Sequence, residues 1–180
     1  MSVYPSVGGN WPARRQPGVH TPEAIAPRHL IREARPVDVI DILALISPHV
    51  AAGTLLPRNA GQIFRALDDW VVAERSDGFL MGCGSLVTYN PALAELRSLV
   101  VAPSYHGMGL GREIVMALLQ RAQAQGIRDV FTLTRVGPFF ERLGFAPAHL
   151  DQFPDKARQD CALCPRQHCC DEAAFVYHLE

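Results

Sequence analysis

Leu99-Val100-Val101-Ala102-Pro103-Ser104-Tyr105-His106-Gly107-Met108-Gly109-Leu110-Gly111-Arg112 is the stretch that decides the fold. It reads as a strand end, a loop from Pro103 to Gly111 and the start of a long amphipathic helix over 112–125. Alternating glycines let successive N–H groups turn inward with no Cβ in the way. The helix start adds unpaired donors and a partial positive charge. Together they suit a pyrophosphate. Glycine alternation alone would equally serve a loop that merely needs positive φ. The spacing is neither a P-loop, which ends in Lys-Ser/Thr, nor the G-x-G-x-x-G dinucleotide pattern.

Downstream, Ile114, Val115, Leu118, Leu119 and Ala122 share one face of the helix, and Gly126 stands where a left-handed terminating residue belongs. Val130–Thr134 reads as a strand, 138–143 as a short helix stopped by Gly144, Phe145 as the start of another strand and 174–179 as the last one. Upstream, 30–35 reads as a strand. Pro36 then opens a helix with an expected apolar stripe of Val39, Ile40, Leu43 and Ile46. A second helix is expected over 59–68, capped by Asn59. Trp70–Glu74 and Phe79–Tyr89 form a hairpin across Ser76-Asp77-Gly78, and Ala94–Val101 completes an antiparallel meander. The fold class is therefore mixed α/β, a meander followed by a β-loop-α-β unit.

The 180 residues suit one domain, with 48% apolar and 19% charged residues and a formal net charge of −1. That balance argues against nucleic acid or a membrane as partner. No apolar run approaches bilayer length, and no apolar region follows Arg14 and Arg15 as a secretory signal would require. A cytoplasmic location is expected. Residues 1–28, rich in Pro, Gly and Arg, read as a flexible extension. The domain is expected over 29–180, with a cysteine-rich insertion at 150–172.

The segment His106-Gly107-Met108-Gly109-Leu110-Gly111 resembles the acetyl-CoA motif of the GNAT acetyltransferase superfamily, R/Q-x-x-G-x-G/A, with His106 in the place of Arg or Gln. Phe139-Phe140-Glu141-Arg142-Leu143-Gly144-Phe145 resembles that family's F-Y-E-R-L-G-F segment. Within the family the chain is most similar to short, single-domain bacterial N-acetylglutamate synthases. The pieces Leu55-Leu56-Pro57-Arg58-Asn59, Trp70–Glu74, Ala94–Leu99, Val130–Thr134 and the tail from Asp160-Cys161 through Asp171-Glu172 carry that likeness. It covers residues 30–149 and 173–180. It implies a sheet splayed at the cofactor site, acetyl-CoA as cofactor and a small-molecule amine, glutamate above others, as acceptor. A homodimeric partner is left open.

The resemblance implies that Leu99, Val100 and Val101 bond the pantetheine. It places His106, Gly107, Met108, Gly109, Leu110, Gly111 and Arg112 on the pyrophosphate, and Phe139, Phe140 and Arg142 beside the cofactor. Glu95 is the expected general base. Phe140 stands where many relatives carry a tyrosine acid, so either Ser98 or Thr134 substitutes or the thiolate leaves unassisted. Forked guanidinium groups match carboxylates, so Arg58, Arg97 and Arg135 are the expected glutamate ligands, with Lys156 and Arg158 as weaker candidates. Each arginine would also suit a solvated surface.

Cys161, Cys164, Cys169 and Cys170 fall within ten residues. Their ligand type suits zinc, but a second separated pair is missing, so no metal is assigned. A disulfide, redox-responsive thiols or plain packed cysteines are the other readings. Cys83 reads as a small core residue. The rival functions are acylation of another amine and a non-catalytic acyl-CoA sensor with a responsive cysteine loop.

Overall fold

The computed structural model describes residues 29–164 and 166–180. The expected extension, residues 1–28, lies outside the described residues. Seven strands, β1 (His29–Glu33), β2 (Trp70–Arg75), β3 (Leu80–Asn90), β4 (Leu93–Val101), β5 (Asp129–Thr134), β6 (Ala146–Ala148) and β7 (Ala173–His178), form one sheet. Their order is β1-β2-β3-β4-β5-β7-β6. The only parallel neighbours are β4 and β5. All other pairs are antiparallel.

Between β4 and β5 runs α3 (Leu110–Ala124). Its buried stripe of Leu110, Ile114, Val115, Leu118, Leu119 and Ala122 packs on Ala94, Leu96 and Val130. The helix begins before residue 112 because Leu110 is already core, 1% exposed, and Gly109 supplies the entry at φ 86°. Gly126, at φ 75°, ends it. Ile127 N–H reaches back to the Ala122 carbonyl, which closes the last turn.

The opposite face carries α1 (Val39–Ala51) and α2 (Ala60–Arg65) over Trp70, Val72, Leu80, Cys83 and Val100. The expected stripe on α1 is corrected at one position. Ile40 is 66% exposed, and Ile42 is buried in its stead. At about 100° per residue, Ile42 lies closer than Ile40 to the direction shared by Val39 and Ile46. The Asn59 cap forms as expected, its side chain accepting from Gln62 N–H while Gln62 returns a bond to the Asn59 amide. Cys83 is a fully buried core residue, and burial pushes its thiol up to about 12.

After β5 the chain runs through α4 (Gly137–Glu141) and β6 to α5 (Pro154–Gln159), then through short turns to β7. Phe153, just before α5, stacks on Phe131 of β5 with ring centroids 4.0 Å apart, which fixes the helix against the sheet.

Arg32 ties the first elements together. Its guanidinium sits 2.6 Å from Asp38 and 2.6 Å from Glu74. Burial pushes the Asp38 carboxyl up, but the Arg32 guanidinium and the Arg35 amide outweigh it and leave it below the ordinary 3.8. A depressed carboxylate adds stability above its unfolded value and loses it as pH falls through the folded one. Denaturant melts from neutral to strongly acid pH should therefore show wild-type stability declining below the ordinary aspartate range. Asp38→Asn should be less stable at neutral pH and show a shallower acid decline; an identical slope would remove Asp38 from the acid response. Gly82 offers a second check, because an added Cβ would lie 2.8 Å from the Val100 carbonyl oxygen across the β3–β4 pair. Gly82→Ala should cost about 1–3 kcal/mol in an equilibrium melt.

Candidate active site

The parallel pairing of β4 and β5 is short, matching only Leu93 with Asp129, Ala94 with Val130 and Glu95 with Phe131. Beyond Glu95 the strands part, so the β5-facing edge of β4 keeps unpaired backbone groups. A bulge helps them part. Arg97 pairs with Ser85 and Val100 with Cys83, so β4 holds an extra residue there. Ser98 takes the strain at φ 54°, uncommon for a residue with a side chain. The gap opens into a cavity of about 1000 Å³ lined by Glu95 to Leu99, Thr132 to Val136 and Phe140.

At the α3 end, the N–H groups from Gly107 to Arg112 have no acceptor among the described residues; the first helical bond there is Glu113 N–H to the Gly109 carbonyl. Gly107 and Gly109 take φ 77° and 86°, and an added Cβ at Gly107 would meet nothing within 4 Å. These amides form an open cradle at a helix start, the arrangement that favours a phosphate group. Gly111 lets α3 approach α4, with Phe139 Cζ 3.4 Å from where its Cβ would be. His106 turns away. Its Nε2 lies 2.7 Å from the Val101 carbonyl oxygen, so the imidazole donates to the loop. Met108 and Arg112 are exposed beside the cradle, as is Arg142 on α4's far end.

Phe140 is 2% exposed and packs edge-on against Phe139 and Phe145. It lines the cavity but has no proton to give. Ser98 and Thr134 line the same cavity. The Thr134 oxygen accepts from Val136 N–H at 3.1 Å, which starts α4 and leaves the hydroxyl proton free to be donated.

On the other face of β4, Glu95 and Arg97 point away from α3 and meet α5. Glu95 is 2% exposed. Its Oε1 lies 2.7 Å from Lys156 Nζ, and the Tyr89 hydroxyl donates to Oε2 at 3.0 Å. Arg97 Nη1 lies 3.6 Å from Glu95 and 3.0 Å from Asp160, which is also 2.8 Å from Lys156. Burial opposes the Lys156 charge, but Glu95 and Asp160 more than offset this and hold its ammonium above the ordinary value. Burial also raises Asp160, and the Lys156 ammonium outweighs it to leave that carboxyl low. Burial is the largest cause that pushes the Tyr89 phenol well up, followed by Glu95, so the phenol stays protonated and donates.

A second cluster closes the rim. Arg135 binds Asp171 at 2.7 Å and Glu172 at 3.1 Å, and Arg166 lies 3.5 Å from Asp171. Two cations thus meet two carboxylates. Arg58 differs from both clusters. It lines the cavity, has no ion pair among the described residues, and is pushed below its ordinary value by burial and then by Arg97. A half-buried guanidinium without a counter-ion is costly to leave unpaired, which makes Arg58 the candidate for holding an anion in the cavity.

Of the three arginines expected to hold carboxylates, only Arg58 is thus uncommitted. Arg158 is away from the cavity, paired with Asp155 on α5. Asp160, which lines the cavity, and Tyr89, which donates to Glu95, join this cluster unforeseen in the sequence, although Lys156 and Asp160 stand at i and i+4, a spacing that pairs charges on a helix. Cys161, Cys164 and Cys170 line the cavity. All four tail cysteines are free thiols, Cys169 and Cys170 exposed, and burial pushes Cys161 up. Among the described residues, no group of three or more His, Cys, Asp or Glu is arranged to hold a metal ion. No described helix is long and apolar enough to cross a membrane.

Residues 44–145 match the model of the acetyltransferase (GNAT) family. An uncharacterised N-acetyltransferase of Chlorobaculum tepidum is 33% identical over 149 residues, 83% of this chain and 96% of that protein. An amino-acid acetyltransferase of Ralstonia nicotianae is 35% identical over 144 residues, 79% of this chain and 32% of that one. Among solved structures, the N-acetylglutamate synthase of Neisseria gonorrhoeae, complexed with coenzyme A and N-acetyl-glutamate, superposes with a TM-score of 0.76. It is 28% identical, and the match covers 85% of this chain and 35% of that one. This chain therefore spans about a third of the length of the last two proteins. The splayed β4–β5 pair, the amide cradle at α3 and the match over more than half the chain place it in one family: it is a GNAT acetyltransferase.

Proposed function

We propose that residues 29–180 transfer the acetyl group of acetyl-CoA to the α-amine of an amino acid, with L-glutamate as the acceptor, the first step of arginine biosynthesis. The observation that carries the acceptor is Arg58, the uncommitted guanidinium in the cavity. The names of the Ralstonia and Neisseria relatives support the same reading.

The cofactor fits the residues present. The amides from Gly107 to Arg112 hold the pyrophosphate, and the free edge of β4 from Leu99 to Val101 bonds the pantetheine amides. The thioester supplies an activated acetyl group. What the chain adds is chiefly positioning and hydrogen bonds to the developing oxyanion. Glu95 takes the acceptor's proton through water, since both its oxygens already accept from Lys156 and Tyr89. Thr134, whose oxygen accepts from Val136 N–H and whose hydroxyl proton is uncommitted, donates a hydrogen bond that steadies the leaving thiolate, which takes its proton from water; Phe140 lines the same cavity.

Thiol release measured with acetyl-CoA across the L-amino acids should be fastest with glutamate. Release with polyamines but with no amino acid would sink the proposal, and cofactor binding with no release would favour the sensor. Arg58→Ala should raise the glutamate KM by about tenfold or more, the scale of a lost charged hydrogen bond, while the coenzyme A Kd stays put. An unmoved KM removes Arg58 from the acceptor site. Gly109→Ala has room for its methyl group, 4.0 Å from Glu113, but must hold φ 86°. It should weaken coenzyme A binding by about five- to thirtyfold, matching about 1–2 kcal/mol of left-handed strain, and leave the glutamate KM nearly unchanged.

A further inference from the structure

The acceptor end carries its charges in an unusual way. Glu95 and Arg97 belong to β4, but the groups that meet them arrive from elsewhere, Lys156 on α5 and Asp160 four residues on at the C-terminal cap of that helix. Glu95 and Lys156 are nearly fully buried, with side chains 3% and 7% exposed. Replacing such a cluster by apolar side chains is often neutral or stabilising, so stability alone does not account for it. What the cluster does is set charge. Two carboxylates and two cations cancel, and the rim cluster around Arg135 cancels likewise, which leaves Arg58 as the single unbalanced charge among the described residues that line the cavity.

We propose that Lys156 and Asp160 are specificity-determining residues: by fixing the net charge of the acceptor end at one positive, they select an acceptor that brings one carboxylate more than it brings ammonium. This rests on the amino-acid reading above. A zwitterion with a second carboxylate carries one net negative charge and matches Arg58. A neutral amino acid leaves Arg58 uncompensated, and a polyamine is repelled. Lys156 and Asp160 act in opposite directions. Lys156 cancels Glu95, which would otherwise repel the acceptor. Asp160 restrains Arg97, whose buried Nε has no partner among the described residues, and keeps a second cation from the incoming carboxylate.

Opposite signs give the test. KM is measured for L-glutamate and for its neutral isostere L-glutamine at saturating acetyl-CoA, with coenzyme A Kd as the control. Lys156→Met should raise the glutamate KM about tenfold and barely move glutamine, the size expected of one unscreened charge nearby. Asp160→Asn should lower the glutamate KM several-fold, and the double variant should return close to wild type. Lys156→Arg should keep the preference. A merely structural pair would raise both KM values in both single variants, and that result overturns the assignment. Should Lys156→Met fail to fold, Asp160→Asn decides alone: an unchanged or raised glutamate KM overturns it. A wild-type protein that acetylates amino acids with no preference for glutamate over glutamine sinks this assignment and the glutamate reading together, whereas a wild-type preference with same-sign variants sinks this assignment only.

Discussion

Three residue pairs of parallel ladder hold β4 to β5, and the site exists because there are no more. A longer ladder would pair the β4 edge and close the gap. The bulge at Ser98 adds a residue to β4 and bends it away from its neighbour, while the pairing with β3 persists to Val101. Strain at one residue of φ 54° is thereby held by ladders on one side and converted to open backbone on the other. At the other end of the turn α3 starts with Leu110 in the core and its first amides without acceptors among the described residues.

The two faces of the divided sheet do different work. Toward α3 and α4 the cavity offers main-chain N–H groups, apolar rings and two hydroxyls, which suit a long cofactor held by its backbone and its phosphates. Toward α5 it offers charges. There the order of packing matters: Phe153 stacks on Phe131, and this brings Lys156 and Asp160 over Glu95 and Arg97. A glutamate buried next to an ammonium, and an arginine already holding an aspartate, are not free ligands. They form a neutral floor on which Arg58 stands out.

The cysteine-rich segment belongs to this wall. Cys161, Cys164 and Cys170 line the cavity as thiols, directly after the helix that supplies the two charges.

Much of this was legible in the residues. The glycine alternation before a strongly periodic helix defined the cradle, because φ and the 3.6-residue period are local properties. The Asn59 cap and Gly126 terminus were readable for the same reason. The stripe on α1 needed correction only at Ile40, which the helical period itself places off the face shared by Val39 and Ile46, where Ile42 is buried. The chain order could not show which arginine would remain unpaired. Arg97 meets Asp160, and Arg135 meets Asp171 and Glu172, only after β6 and β7 bring the tail back across the cavity. The succession of elements and the glycine-rich turn before α3 were readable from local pattern alone. Tertiary structure decided the charge of the acceptor end, because ion pairs between distant residues depend on burial and approach, which no spacing along the chain encodes.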